Sequence, residues 1–175
     1  MSVVIYSDGV LGADRRCVIA GGSWNVSQQP MQKVHTHESK TFAMASAGHI
    51  PGPRGMKIIM DTIHGMLLRF FLEESQESME MTPDIKAKLF SETRTSIFVM
   101  TRTDVWLFHR DQPTWIEITH HNYYSGNGSP AAAVCIEAGL TVIQALKEIP
   151  YVSAEVGDGY DTVKATSLKL MQVEK

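Results

Sequence analysis

Cysteine is scarce in this sequence. Cys17 and Cys135 are too few for a disulfide-stabilised scaffold, and neither lies in a Cys-x-x-Cys motif. Long apolar runs are also missing, so no segment predicts a membrane-spanning helix. The first residues lack the basic region and the uninterrupted apolar stretch of a signal peptide. These absences predict a cytoplasmic protein with reduced cysteines and no membrane partner.

An excess of charge of either sign is absent as well. The 16 basic and 19 acidic residues give a formal net charge of −3, which argues against a nucleic-acid partner. What the chain does have is 175 residues, of which 43% are hydrophobic, enough for a sizeable core. The sequence therefore predicts one globular domain over residues 1–175.

Hydrophobic periodicity predicts blocks of strands and blocks of helices. Strands alternate apolar residues with period two, whereas helices repeat them at threes and fours. Asp8-Gly9 is a strong hairpin sequence between the first two strands. The predicted strands are Val3–Tyr6, Val10–Ala13, Thr41–Ala47, Ser96–Met100, Val105–His109, Trp115–Thr119 and a closing strand within Asp161–Leu170.

Three helices are predicted between these strands. The first runs from Met56 to Leu72 and the second from Pro83 to about Glu92. The third opens with Ser129 as N-cap and Pro130 in the first turn, and continues through Leu146. Separate strand and helix blocks favour layered sheets with helices outside over a parallel βαβ fold. The pattern thus predicts an α+β sandwich and, by itself, no chemistry.

Five short motifs, in order along the chain, carry a resemblance to a known family. They are Gly12–Arg16, Gln32–Val34, Ala43–Gly48, Gly126–Pro130 and Gly157–Val163. Together they resemble the proteasome β-subunit family, which includes the HslV peptidase. The resemblance covers nearly the whole chain. It implies a four-layer αββα sandwich with two mainly antiparallel sheets between helix layers.

The resemblance also implies a catalytic apparatus. Enzymes of this family use the hydroxyl of their first residue as nucleophile and its free α-amine as base, which removes the need for a histidine. By position, Ser2 corresponds to the nucleophile once Met1 is removed, Lys33 to the activating cation and Asp14 to the partner of Lys33. The resemblance further assigns the oxyanion-binding N–H to Ala47, a bracing role to Arg16 and a supporting role to Asn127.

The chain departs from the family pattern at several of these positions. Ala47 replaces a glycine and Asn127 replaces a serine, while Glu155 or Asp158 are the candidates for the family's C-terminal supporting pair. Spacing leaves the register open. A three-residue loop over Ser7–Gly9 sets Ser2 opposite Asp14, whereas a two-residue Asp-Gly turn shifts the pairing by one.

The resemblance implies peptide or unfolded-protein substrates, a homo-oligomeric ring and a separate ATPase unfoldase as a candidate partner, with no cofactor. The apolar surplus of the Met56–Leu72 helix favours such a subunit interface. Two alternatives stay open, namely a catalytically inactive ring or scaffold protein and an amidase for small amides. The family's substrate-pocket positions correspond to Cys17, Met31, His35, Ala45 and His49.

Two further patterns are better explained structurally. His35 and His37 lie two residues apart on a strand, as metal ligands do, but no third ligand is evident, so an exposed polar edge is the preferred interpretation. The loop Gly126–Ser129 precedes a helix, as phosphate-binding loops do, but lacks the lysine and spacing of a P-loop.

Overall fold

Two antiparallel sheets form the centre of the protein, as seen in a computed structural model that describes residues 3–16, 31–47, 51–73, 75–91, 94–153, 156–157 and 159–171. A four-stranded sheet has the strand order β8-β1-β2-β9, and a five-stranded sheet has the order β3-β4-β5-β6-β7. The strands are β1 (Val4–Ser7), β2 (Val10–Asp14), β3 (Val34–Thr36), β4 (Phe42–Ser46), β5 (Ser96–Thr101), β6 (Val105–His109), β7 (Ile116–Glu117), β8 (Tyr123–Ser125) and β9 (Tyr160–Lys164).

Helices cover the outer face of each sheet. They are α1 (Pro53–Glu73), α2 (Pro83–Leu89), α3 (Ser129–Glu137) and α4 (Val142–Val152), with short 3₁₀ turns at Gln76–Met79 and Ala165–Ser167. The helices α1 and α2 pack on the five-stranded sheet, and α3 and α4 pack on the four-stranded sheet. The architecture is therefore a four-layer αββα sandwich, which confirms the predicted fold class.

Strand alternation divides the apolar side chains among three cores. In β4, Phe42 and Met44 face α1 and α2, whereas Ala43 and Ala45 face the other sheet. Successive residues of a strand point to opposite faces. All four of these side chains are fully buried, because both faces of the sheet are covered. A middle core thus lies between the sheets, and an outer core lies under each helix layer.

A two-residue turn sets the register of the first hairpin. Asp8 and Gly9 both have positive φ, 48° and 70°, the geometry of the turn that matches the twist of a hairpin. Ser7 therefore pairs with Val10, and Val4 pairs with Ala13. Continuing this register, the Val3 carbonyl accepts a hydrogen bond from Asp14 N at 3.2 Å. Of the two registers that the spacing allows, the structure has the one shifted by one residue.

The helical region after residue 128 differs from the prediction. Instead of one helix through Leu146, two helices are separated at Gly139, whose φ is 87°, a conformation that ends helices. Thr141 then starts α4 with a capping box, since its hydroxyl accepts from Gln144 N and its own N–H donates to Gln144 Oε1. The N-cap of α3 is Gly128 rather than Ser129, and no side chain caps this helix.

Two predicted strands are shorter in the structure. The strand expected over Trp115–Thr119 is reduced to Ile116–Glu117, because Trp115 N bonds to Met79 O outside the sheet. The closing strand ends at Lys164, where the chain enters a 3₁₀ turn. Within the described ranges, no helix has both the length and the apolar character needed to cross a membrane.

Candidate active site

A buried ion pair joins the two sheets. Asp14 is the last residue of β2, and Lys33 immediately precedes β3. Lys33 Nζ lies 2.9 Å from Asp14 Oδ1, and the two side chains are only 2% and 1% exposed. A buried charge is costly unless it is paired and fully hydrogen-bonded. The residues around this pair must therefore supply hydrogen bonds to both of its charged groups.

Backbone donors complete the surroundings of Asp14. Its Oδ1 accepts from Val3 N at 2.8 Å in addition to Lys33 Nζ. Its Oδ2 accepts from Arg16 N at 3.1 Å and from Gly157 N at 3.3 Å. Lys33 Nζ also donates to the carbonyl of Arg16. Among the described residues, four donors thus fix the orientation of this carboxylate.

The Arg16 side chain packs against the loop before β9. A Cβ added at Gly157 would lie 2.7 Å from Arg16 Nη2, so the guanidinium lies directly beside the glycine and would have to move to admit a larger residue. Gly128 is equally enclosed on the other side, because a Cβ there would lie 2.9 Å from Val3 Cβ and 2.6 Å from Val156 Cγ2. Close contacts at two glycines thus hold the start of β1 and the loop before β9 around Asp14.

The remaining predicted site residues occupy different surroundings. Ala47 follows β4, and since Val34 pairs with Ala45, it lies at the same end of the five-stranded sheet as Lys33. Asn127 is exposed in the loop between β8 and α3, next to the enclosed Gly128. Ser2 lies outside the described residues. The structure therefore brings Asp14, Lys33 and Arg16 together, places Ala47 at the same end, and leaves Asn127 exposed.

The predicted substrate-pocket residues differ in burial. Ala45 is fully buried in the middle core, while Met31 and His35 are half-buried. Burial lowers the pKa of His35, and its Nε2 has no hydrogen-bond partner among the residues that the structure describes. Cys17 and His49 lie outside the described residues, as do the supporting candidates Glu155 and Asp158.

His37, which follows β3, lies in an aromatic cluster. Its ring stacks on Phe42, with centroids 4.9 Å apart, and lies tilted against His64, with centroids 4.4 Å apart. Burial, followed by the neighbouring His64, lowers the pKa of His37. Among the residues that the structure describes, no group of three or more histidine, cysteine or acidic side chains is arranged to hold a metal ion.

Sequence reasoning missed Asp161. This β9 residue lies opposite Ala13. Its Oδ1 accepts from Arg15 Nε at 2.8 Å, and its Oδ2 accepts from Lys33 N at 3.3 Å. Aspartate is depleted in strands, so an aspartate within the predicted closing strand was the available indication of a special role.

The arrangement offers a positive charge inside the protein, at one end of the sandwich, beside the start of β1. Such a charge stabilises a nearby anion more strongly than it would in water. The four-layer αββα sandwich thus holds a buried charged pair at one end.

Comparison with solved structures supports this fold. A eukaryotic HslV from Trypanosoma brucei superposes with a TM-score of 0.62 at 11% sequence identity, over 93% of this chain and 97% of that one. BPH from Thiobacillus denitrificans, in complex with epoxomicin, superposes with a TM-score of 0.56 at 14% identity, over 93% and 96%. Neither a protein-family model nor a curated protein sequence matches the chain. The similarity is therefore one of fold, and it confirms the predicted resemblance.

Proposed function

We propose that this protein is an N-terminal-nucleophile peptidase that cleaves peptide bonds with Ser2 after removal of Met1. The observation that carries the proposal is the buried Lys33–Asp14 pair beside the start of β1. One carboxylate oxygen, Asp14 Oδ1, binds both Lys33 Nζ at 2.9 Å and Val3 N at 2.8 Å.

Covalent geometry supports the reach that this mechanism needs. Val3 N, to which the Cα of Ser2 is linked through one carbonyl carbon, donates to the Asp14 oxygen that also binds Lys33 Nζ, so these two nitrogens are at most about 5.7 Å apart. A serine side chain and an α-amine both extend from that Cα. The positive charge of Lys33 lowers the pKa of a neighbouring hydroxyl or amine, which favours the reactive forms of both groups.

The proposed reaction is an acyl transfer in two steps. Ser2 Oγ attacks the substrate carbonyl while its proton moves to the free α-amine. The Ala47 N–H stabilises the oxyanion, after which the C–N bond breaks and the protonated amine gives its proton to the leaving nitrogen. Water then hydrolyses the ester and restores the hydroxyl. Asp14 holds Lys33, and Arg16 braces the site through its contact with Gly157.

The same proposal includes a homo-oligomeric ring that encloses the site and takes peptides or unfolded chains, with an ATPase unfoldase as a candidate partner. Exposed apolar side chains on α1 support self-association, since Ile58 is 46% and Leu72 is 50% exposed. Native mass spectrometry of the purified protein measures the assembly directly. A monomer at micromolar concentration contradicts this part of the proposal.

One observation favours a second candidate, an inactive ring or scaffold protein. The two-residue turn at Asp8-Gly9 sets Val3, not Ser2, opposite Asp14. Among the described residues, three of the four donors to Asp14 are backbone N–H groups, so the ion pair also has a purely structural use. This candidate predicts the same assembly without hydrolysis.

The test begins with the intact mass of the protein, which shows whether Met1 is removed. The protein is then incubated with a peptide β-lactone, whose ring opens on a hydroxyl, so that the product gains the full mass of the reagent. We expect one adduct, located at Ser2 by peptide mapping, and hydrolysis of an unfolded protein. Epoxomicin, the ligand of the BPH structure, serves as a second probe.

Matched variants separate the two candidates. Ser2→Ala removes the hydroxyl and should abolish both the adduct and hydrolysis without changing assembly size, whereas Ser2→Thr should retain them. A form with an N-terminal extension keeps the hydroxyl but blocks the amine, and we expect it to be inactive. A wild type that has lost Met1, assembles and yet neither reacts nor hydrolyses refutes the peptidase and supports the scaffold.

A further inference from the structure

The two carboxylate oxygens of Asp161 accept hydrogen bonds from two different segments of the chain. Oδ1 accepts from Arg15, through Nε at 2.8 Å and through Nη2, while Oδ2 accepts from the backbone N–H of Lys33 at 3.3 Å. The side chain is 11% exposed, compared with 42% for Arg15. The oxygen directed at Lys33 thus belongs to a carboxylate that is mostly shielded from water.

This contact anchors Lys33 at its backbone. The ammonium at the other end is held by Asp14 and by the Arg16 carbonyl. A lysine side chain that is free samples many rotamers. An anchor at each end reduces the positions that the ammonium can take, because the backbone hydrogen bond restrains the Cα relative to β9.

We propose that Asp161 is a positioning residue that acts through Lys33. The inference deepens the proposed peptidase and rests on it. Asp161 does not touch the reacting atoms. It fixes the backbone from which the activating ammonium extends, and it does so from β9, a strand of the opposite sheet.

A different result is expected if Asp161 serves only as the ion-pair partner of Arg15. A partly exposed ion pair contributes little to stability, and its loss should leave Lys33 in place. The Lys33 N–H contact, in contrast, needs an acceptor at the Oδ2 position. An asparagine has one carbonyl oxygen and one NH₂ group. In the Asp161→Asn variant, this side chain can therefore accept a hydrogen bond at only one of its two ends, either from Arg15 or from Lys33 N–H.

The kinetic test compares three variants in the full-length protein. Asp161→Asn should lower kcat roughly tenfold with KM within twofold, since small displacements of a reactive group cost one to two orders of magnitude. Arg15→Gln, which breaks the ion pair and leaves Asp161 in place, should change kcat less than about twofold. Asp84→Asn, which removes an exposed carboxylate from its pair with Lys88, is the control for loss of charge.

A second readout does not depend on activity. In protein labelled with ¹⁵N-lysine, a buried ammonium exchanges slowly and gives its own resonance, which Lys33→Met assigns by its disappearance. We expect this resonance to persist in Arg15→Gln and to broaden or vanish in Asp161→Asn. Asp161→Glu, which keeps the charge but moves the carboxylate by one methylene, is the second variant if Asp161→Asn does not fold, and the same loss is expected for it.

The outcomes separate the two hypotheses. An unchanged Lys33 resonance in both Asp161 variants overturns the positioning role, and so does an equal kcat loss in Arg15→Gln and Asp161→Asn. A wild type without hydrolysis, in which the resonance still depends on Asp161 and not on Arg15, refutes the proposed peptidase while the positioning role stands.

Discussion

Lys33→Met removes the positive member of an ion pair that water hardly reaches. Methionine is unbranched and nearly as long as lysine, so the change removes the charge with little change of shape. The Asp14 carboxylate then remains 1% exposed without its counter-charge. The substitution therefore tests whether the burial of this pair, rather than its geometry alone, determines its energetic importance.

The magnitude follows from the contacts that remain. Breaking a buried pair by removing one partner costs about 3–5 kcal/mol. Asp14 keeps three backbone N–H donors, so we expect the lower end, about 3 kcal/mol of unfolding free energy. For a chain of this size, that loss lowers Tm by roughly 6–12 °C.

Asp14→Asn is the reciprocal change and should cost more, about 4–5 kcal/mol. The Lys33 ammonium is left buried with the Arg16 carbonyl, and the asparagine NH₂ group faces backbone N–H groups that need an acceptor. The double variant should cost less than the sum of the two single changes, because neither charge is then left alone.

Urea unfolding at one fixed protein concentration measures these losses, since assembly makes apparent stability depend on concentration. The control is Lys88→Met. Its ammonium lies 2.7 Å from Asp84 Oδ2, closer than in the buried pair, but the two side chains are 48% and 77% exposed. We expect a loss below about 1 kcal/mol there. Equal losses for Lys33→Met and Lys88→Met would refute the argument from burial.

Gly12 faces α4 with no room for a methyl group, since an added Cβ would lie 2.7 Å from Val142 Cγ1. Gly12→Ala should therefore lower the unfolding free energy by about 1–3 kcal/mol, and a neutral result in urea unfolding would show that α4 moves away freely. Thr141→Ala removes the capping-box hydroxyl and should cost about 1 kcal/mol by the same assay, with no loss if other groups cap α4. Burial lowers the pKa of both His35 and His37 below 6.5, so the unfolded chain binds more protons. Stability should therefore be complete above about pH 6.5 and fall as the pH is lowered through the folded pKa values. Urea unfolding at pH 7, 6 and 5 checks this, and replacing both histidines with glutamine should flatten the profile.

The strands and the long first helix were predictable because their apolar residues repeat with a clear period. Helix α1 was expected over Met56–Leu72 and runs from Pro53 to Glu73. The hairpin at Asp8-Gly9 was predictable for a local reason, since few other sequences tolerate two consecutive positive φ values. Its register was not predictable, because the spacing allowed either loop length.

The misassigned helix boundary and the missed aspartate have non-local causes. The apolar pattern continues from α3 into α4, so periodicity alone did not reveal the break at Gly139. Gly128 takes the N-cap position in place of Ser129. It is enclosed there by Val3 and Val156, both of which lie far from it in the sequence. Asp161 is separated from Lys33 by 128 positions, so only the assembled sheets show that one holds the other.

The two members of the ion pair belong to opposite sides of the middle core. The distance between the carboxylate and the ammonium therefore depends on the separation of the two sheets. Ala43 and Ala45 supply small side chains to that layer from β4. A methylene added there widens the sandwich from within, and the separation between carboxylate and ammonium grows with it. The volume of the middle core, a quantity usually associated with stability alone, thereby also influences the interaction between the two buried charges, since Ala45 pairs with Val34, the neighbour of Lys33.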